Sequence, residues 1–98
     1  MKKYLEIRNW LEKNNFEYRL LHNIHQYSKN NEDSGYKFYV DINISHTIYV
    51  DIKYRQEYYT NQGISRYGVI YDLETLEKTY KSLFPVEYRN YIITELLK

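Results

Sequence analysis

Apolar and polar residues alternate over two neighbouring stretches, residues 36–44 and 48–55, with a short polar segment between them. Period-two alternation marks strands with one buried face, so the pair predicts a β-hairpin. Tyr36, Phe38, Val40, Ile42 and Ile44 share one face of the first run, and Ile48, Val50, Ile52 and Tyr54 share one face of the second. For both sets to meet one core, the loop must hold an odd number of residues. Ser45-His46-Thr47 is the shortest solution, and it sets Asp41 opposite Asp51 with Lys53 on the diagonal. A two-residue slip keeps the parity and sets Asp41 opposite Lys53 instead, as a plain cross-strand ion pair.

The flanking pattern supplies the other elements. Residues 3–13 predict an amphipathic helix, with Tyr4, Leu5, Ile7, Trp10 and Leu11 at three- and four-residue spacings and a stop at Asn14-Asn15. Residues 16–27 alternate as one strand, with Phe16, Tyr18, Leu20, His22 and Ile24 on the inner face. Residues 28–35 and 60–68 are rich in turn formers and predict loops. The strand after the hairpin loop extends to Tyr58-Tyr59, and a short fourth strand covers residues 67–71. Asp72 caps a helix with Leu73, Leu76, Tyr80 and Leu83 as its stripe. Pro85 suits the first turn of a last helix over residues 86–97, in which Ile92, Ile93, Leu96 and Leu97 are expected to be buried.

The order α-β-β-β-β-α-α predicts an α+β fold: an N-terminal helix, a four-stranded antiparallel meander and two C-terminal helices, as a two-layer single domain over residues 1–98. Composition adds compartment and solvent. The chain has no cysteine, which removes disulfide and thiolate chemistry and favours a reducing, cytoplasmic setting. Charges interrupt the first fifteen residues, so they predict neither a leader nor a membrane span. The net charge of +1 is spread evenly, without the cation block that phosphate-dominated binding needs. The abundance of codons rich in A and T behind Lys, Asn, Ile and Tyr suggests a low-GC bacterium, phage or plasmid.

Fourteen tyrosines are a large supply of stiff, amphipathic surface. With helices on one face only, the open face is expected to carry Arg19, Leu21, Asn23, His25 and Tyr27, then Lys37, Tyr39, Asp41 and Asn43, then Tyr49, Asp51, Lys53 and Arg55. Such a mixture of aromatics, amides and both charge signs has the character of an interface. Tyr39, Asp41, Tyr49, Asp51, Lys53 and Arg55 are the expected partner contacts.

Two carboxylates held face to face would need a compensating cation. Asp41 and Asp51 could hold Mg²⁺, and Lys53 could assist a water in phosphodiester hydrolysis. On Asp41 and Asp51-Ile52-Lys53 the sequence resembles the PD-(D/E)xK nuclease superfamily, over about twenty residues, with Glu6 or Glu12 as its additional acid. That resemblance implies a Mg-dependent nuclease with catalytic Asp41, Asp51 and Lys53. Val40 stands where that family carries proline. The three histidines do not form a chelating set, since His22 and His25 are expected on opposite strand faces and His46 in a turn.

The leading expectation is a small non-enzymatic binding protein that occludes a larger protein, such as a nucleic-acid-handling host enzyme, without cofactor or membrane. In character it resembles the small inhibitors carried by phages and mobile elements, anti-CRISPR proteins among them. Asp41 and Asp51 would then mimic phosphates. The alternatives are the nuclease and a nucleic-acid-binding module using Arg19, Lys37, Lys53 and Arg55 with interleaved tyrosines. Exposed edge strands would also permit a homodimer by sheet extension.

Overall fold

The computed structural model describes residues 2–31, 35–45, 49–58 and 64–98. The side chains of Lys2, Ser45, Tyr49, Ile64 and Ser65 lie outside that description. The elements are α1 (Lys2–Lys13), β1 (Glu17–Leu21), β2 (Ile24–Asn31), β3 (Tyr36–Ser45), β4 (Tyr49–Tyr58), β5 (Ile64–Val69), α2 (Leu73–Leu83) and α3 (Pro85–Leu96). The five strands form one sheet in chain order, each antiparallel to the next. This is the expected α+β meander with one additional short strand.

The additional strand arises inside residues 16–27, read from the sequence as continuous. Leu21 pairs with Ile24 across a two-residue turn, in which His22 takes φ +56°. Histidine is among the few non-glycine residues enriched in that left-handed region. A two-residue turn leaves the alternation along the sequence unbroken but exchanges which parity faces inward. His25 and Tyr27 therefore belong to the inner face, not the open one, and Tyr27 is 2% exposed. Ile24, Gln26 and Ser28 take the open side.

β2 runs on to Asn31, so residues 28–31 are strand and not loop; residues 32–34 of that expected loop lie outside the described residues. β5 likewise starts at Ile64, earlier than expected, while residues 59–63 lie outside the description. Beyond it, Ile70 N–H donates to the Ile52 carbonyl at 2.9 Å. Gly68 in β5 faces Tyr54, where an added Cβ would stand 2.7 Å from the ring.

All three helices lie on the face of Phe38, Val40 and Ile42, each 0% exposed. α1 buries Tyr4, Ile7, Trp10 and Leu11. It ends in a left-handed cap: Asn15 takes φ +63°, Phe16 N–H reaches Leu11 O at 3.1 Å and Asn15 N–H reaches Glu12 O at 3.2 Å. This pairing satisfies carbonyls that the last turn leaves open. α2 begins as expected, with the Asp72 carboxylate accepting from the Thr75 amide (2.8 Å) and hydroxyl (2.7 Å). It buries Leu76 and Tyr80, with Leu73 and Leu83 packed against the core. Rings dominate the centre: Tyr80 meets Trp10 edge-on at 5.0 Å and stacks on Phe84 at 4.8 Å, and Phe38 contacts both Phe16 and Phe84.

α3 starts at Pro85 as expected but turns the opposite way. Ile92, Ile93, Leu96 and Leu97 are not buried; they are 36%, 48%, 78% and 81% exposed. Tyr88 and Tyr91 pack against the core instead, edge-on to Tyr80 and Trp10 respectively. Two stripes at helical spacing compete for the core here, and the aromatic one wins because rings already wait on α1 and α2 to receive it. No helix among the described residues is long and apolar enough to cross a membrane.

The buried phenols make stability fall at high pH. Burial pushes Tyr27 up to about 12 and also raises Tyr80 and Tyr91. A folded value above the unfolded 10.0 contributes stability that is full below pH 10 and is lost as pH rises through the folded value. Lys29 acts oppositely: burial lowers its value from 10.5, so its contribution grows as pH approaches 10.5. Thermal melts are expected to hold or rise slightly up to about pH 10 and then fall steeply. A melting temperature that stays flat through about pH 12 would contradict these burials.

Candidate protein-binding surface

No described helix lies over the open face of the sheet, and its residues stand in rows across the strands. One row is Glu17, Ser28, Tyr39, Arg55 and Tyr67; the next is Arg19, Gln26, Asp41, Lys53 and Val69. A third holds Leu21, Ile24, Asn43 and Asp51, and Lys37 stands opposite Glu57. Arg19, Leu21, Lys37, Tyr39, Asp41, Asn43, Asp51, Lys53 and Arg55 are thus on this face as expected. Tyr49 pairs with Ser45 at the start of β4, and its side chain lies outside the described structure.

The hairpin register differs from the shortest solution. Ser45 pairs with Tyr49; residues 46–48, among them the expected inner Ile48, lie outside the described residues. Asp41 faces Lys53, and Asp51 faces Asn43. The reason is electrostatic. The shorter register would set Lys37 against Arg55 and Asp41 against Asp51, two like-charge pairs. The observed one sets Lys37 against Glu57 and Asp41 against Lys53, and keeps Ile42–Ile52 and Val40–Tyr54 as inner pairs. At a few tenths to 1 kcal/mol per cross-strand pair, the exchange favours the observed register by on the order of 1–2 kcal/mol.

Arg55 is the hub of the face. Its guanidinium lies over the Tyr39 ring, 4.1 Å from the centroid, with an Nη nitrogen bonded to Asp41 Oδ2 and Nε 3.4 Å from Glu57 Oε1. The other Asp41 oxygen accepts from Gln26 Nε2 at 3.2 Å. Lys37 Nζ stands 5.7 Å from the same Tyr39 ring. Arg55, Asp41 and Glu57 are each about one quarter exposed, at 25%, 23% and 27%. Lys53 does not bind Asp41 but reaches along its own strand to Asp51, at 3.5 Å.

Chemically, this is a closed network rather than a reactive one. Both Asp41 oxygens are already engaged by donors, and Asp51 holds Lys53. A bridging cation would have to displace Arg55 and Lys53, so the facing-carboxylate geometry that motivated Mg²⁺ is not formed. Phosphate mimicry loses its basis too, because each carboxylate is neutralised within the face. Cations Arg19, Lys37, Lys53 and Arg55 are matched by Glu17, Asp41, Asp51 and Glu57, four against four. A balanced mosaic gives no counterion-release drive toward nucleic acid.

No family model matches the chain, and no curated protein or solved structure matches it.

Sequence reasoning missed three participants. Gln26 was hidden by the parity exchange at the His22-Asn23 turn, whereas Glu57 shares the parity of Arg55 and was readable. The third lies on the opposite face. Lys29, expected in a loop, points inward from β2 and donates to Asn14 O at 2.9 Å and Tyr80 Oη at 2.8 Å. Its ammonium lies 5.2–5.7 Å from the Phe16, Tyr80 and Phe84 rings. It lines a cleft of about 300 Å³ with Lys13, Glu87, Asn90 and Tyr91 among others. Nearby, Asn31 Nδ2 donates to the Leu83 carbonyl at 2.7 Å. Both contacts tie β2 to helix ends, so this cleft is explained by helix anchoring.

Proposed function

We propose that the chain is a non-enzymatic binding protein that acts by covering a surface of a larger protein with the open face of its sheet. The observation that carries this reading is the Tyr39–Arg55 stack, fixed from both sides by Asp41 and Glu57 in the middle of that face. Tyrosine and arginine are the residue types that dominate binding hot spots. Here their conformations are set before any partner arrives, which reduces the ordering cost of association. Tyr67, 78% exposed, flanks Arg55 from β5 and extends the aromatic surface. Occlusion of a functional surface, as in small inhibitors of defence enzymes, is the mechanism that suits a chain of this size whose described sheet-face carboxylates Asp41 and Asp51 are each held by a cation.

Its charge balance supports a partner surface that is itself mixed in sign, with acceptors for Arg55 and Lys37. The test compares the wild type with a Tyr39→Ala/Tyr67→Ala variant. Both proteins are immobilised and exposed to lysate from the source cells, and the affinity for the retained protein is then measured. Two hot-spot losses are expected to weaken binding by about 100-fold or more, with a melting temperature close to that of the wild type. Equal affinity of the two proteins would exclude the sheet face as the working surface.

A further inference from the structure

α3 is a helix with no buried residue, yet much of its exposed side is apolar. At 3.6 residues per turn, Pro85, Arg89, Ile92 and Leu96 form one stripe, widened by Val86, Ile93 and Leu97. Five of these are large apolar side chains 36–81% exposed. A contiguous patch of this kind on a small protein marks an interaction site. It is far from the Arg55 network in role, since it belongs to the helical layer.

The two halves of the stripe differ. Toward the start of α3 lies an apolar groove of about 410 Å³, lined by Lys81, Pro85, Tyr88, Arg89, Ile92 and Ile93. Its charged residues are both cations, and Lys81 Nζ sits 5.8 Å from the Tyr88 ring. Toward the end of α3 stand the two most exposed leucines, Leu96 and Leu97, beside the acidic Glu95. One half is a cationic apolar groove, and the other is an apolar ridge beside a carboxylate whose partner within the copy is the surface ammonium of Lys98.

We propose that this face binds a second copy of the same chain, the two α3 helices lying antiparallel about a two-fold axis near Ile92 and Ile93. In that arrangement the Leu96-Leu97 ridge of each copy enters the groove of the other, over Tyr88 and the aliphatic stem of Arg89. Glu95 of each copy reaches the Lys81 and Arg89 rim of the other. Every contact is made twice, as a two-fold interface requires of a self-complementary surface. Within one copy Glu95, one third exposed, is paired with the exposed Lys98 at 3.4 Å, a surface contact weak enough to exchange. Two helices of about 18 Å bury little surface, so the dimer is weak and reversible.

The test is sedimentation of the full chain from about 10 μM to 1 mM, a range that brackets weak self-association. The wild type is expected to pass reversibly from monomer to dimer. I92D/L96D should shift the midpoint at least about tenfold, or abolish dimer, with the circular dichroism of the folded chain retained, because neither side chain is buried in the core. Charge exchange supplies the specific readout. E95K alone and K81E/R89E alone should each weaken self-association, while an equimolar mixture of the two should restore a dimer. A wild type monomeric throughout the range overturns the proposal. So does I92D/L96D dimerising like the wild type, which would place the contact at a sheet edge, or wild-type binding to anionic vesicles without any dimer.

Discussion

Replacing Tyr80 by alanine is expected to lower the free energy of unfolding by about 3–5 kcal/mol. Tyr80 is fully buried and joins the layers: its ring meets Trp10 of α1 edge-on, stacks on Phe84 and contacts Phe16, while its hydroxyl accepts from Lys29 of β2. Alanine would open a ring-sized cavity among rigid neighbours that cannot all move in, and would leave the Lys29 ammonium short of an acceptor. For a chain of this size, with total stability on the order of 5–15 kcal/mol, that is a large share. The melting temperature should fall by at least about 12 °C. Tyr80→Phe keeps the ring and should cost only about 1–2 kcal/mol, the loss of the acceptor alone. Equal losses for the two variants in chemical denaturation would show that ring packing is not what Tyr80 contributes.

The second large effect is expected at Lys29. Lys29→Ala removes a half-buried stem and the ammonium that donates to the Tyr80 hydroxyl, and withdraws a bond from the Asn14 carbonyl at the end of α1. We expect a loss of about 2–4 kcal/mol, from packing and from two acceptors deprived of their donor. Burial already lowers the Lys29 value, which means its charge is held at some cost and by those contacts. The effect must therefore couple to Tyr80. Lys29→Ala should cost on the order of 1 kcal/mol less on a Tyr80→Phe background than on the wild type. Strict additivity in that double-mutant cycle, measured by denaturant unfolding, would remove the Lys29–Tyr80 bond as a source of stability.

These expectations bear on the proposed binding face as well. Lys29 and Asn31 leave β2 on the helical side, Gln26 leaves it on the open side, and Gln26 supports Asp41, which in turn holds Arg55. β2 is thus the strand through which the helical layer and the Tyr39–Arg55 stack are held in register. It is also the strand read least well from the sequence, because its first residues were assigned to the preceding strand and its last to a loop.

The hairpin shows where reading stopped short of what was legible. Parity alone allows either register. The charges decide between them, since only one avoids setting Lys37 against Arg55 and Asp41 against Asp51. That comparison needs nothing beyond the sequence, and it would have removed the facing carboxylates, and with them the geometry for a bridging Mg²⁺. Glu57 as a second acidic partner of Arg55 was legible by the same alternation.

By itself the sequence determined the α+β order, the inner faces of β3 and β4, the left-handed stop at Asn15, the Asp72 cap and the Pro85 start. Each is a local consequence of period, backbone preference or side-chain reach, decided within a few residues. Only the tertiary structure decided the reversal at His22-Asn23, because a two-residue turn leaves alternation intact while exchanging the faces. Only it decided that Lys29 is an interior anchor, since its partners Asn14 and Tyr80 are distant in sequence. Only it decided which stripe of α3 meets the core, because both are apolar at helical spacing and the choice belongs to the rings of Trp10 and Tyr80 waiting on the other helices.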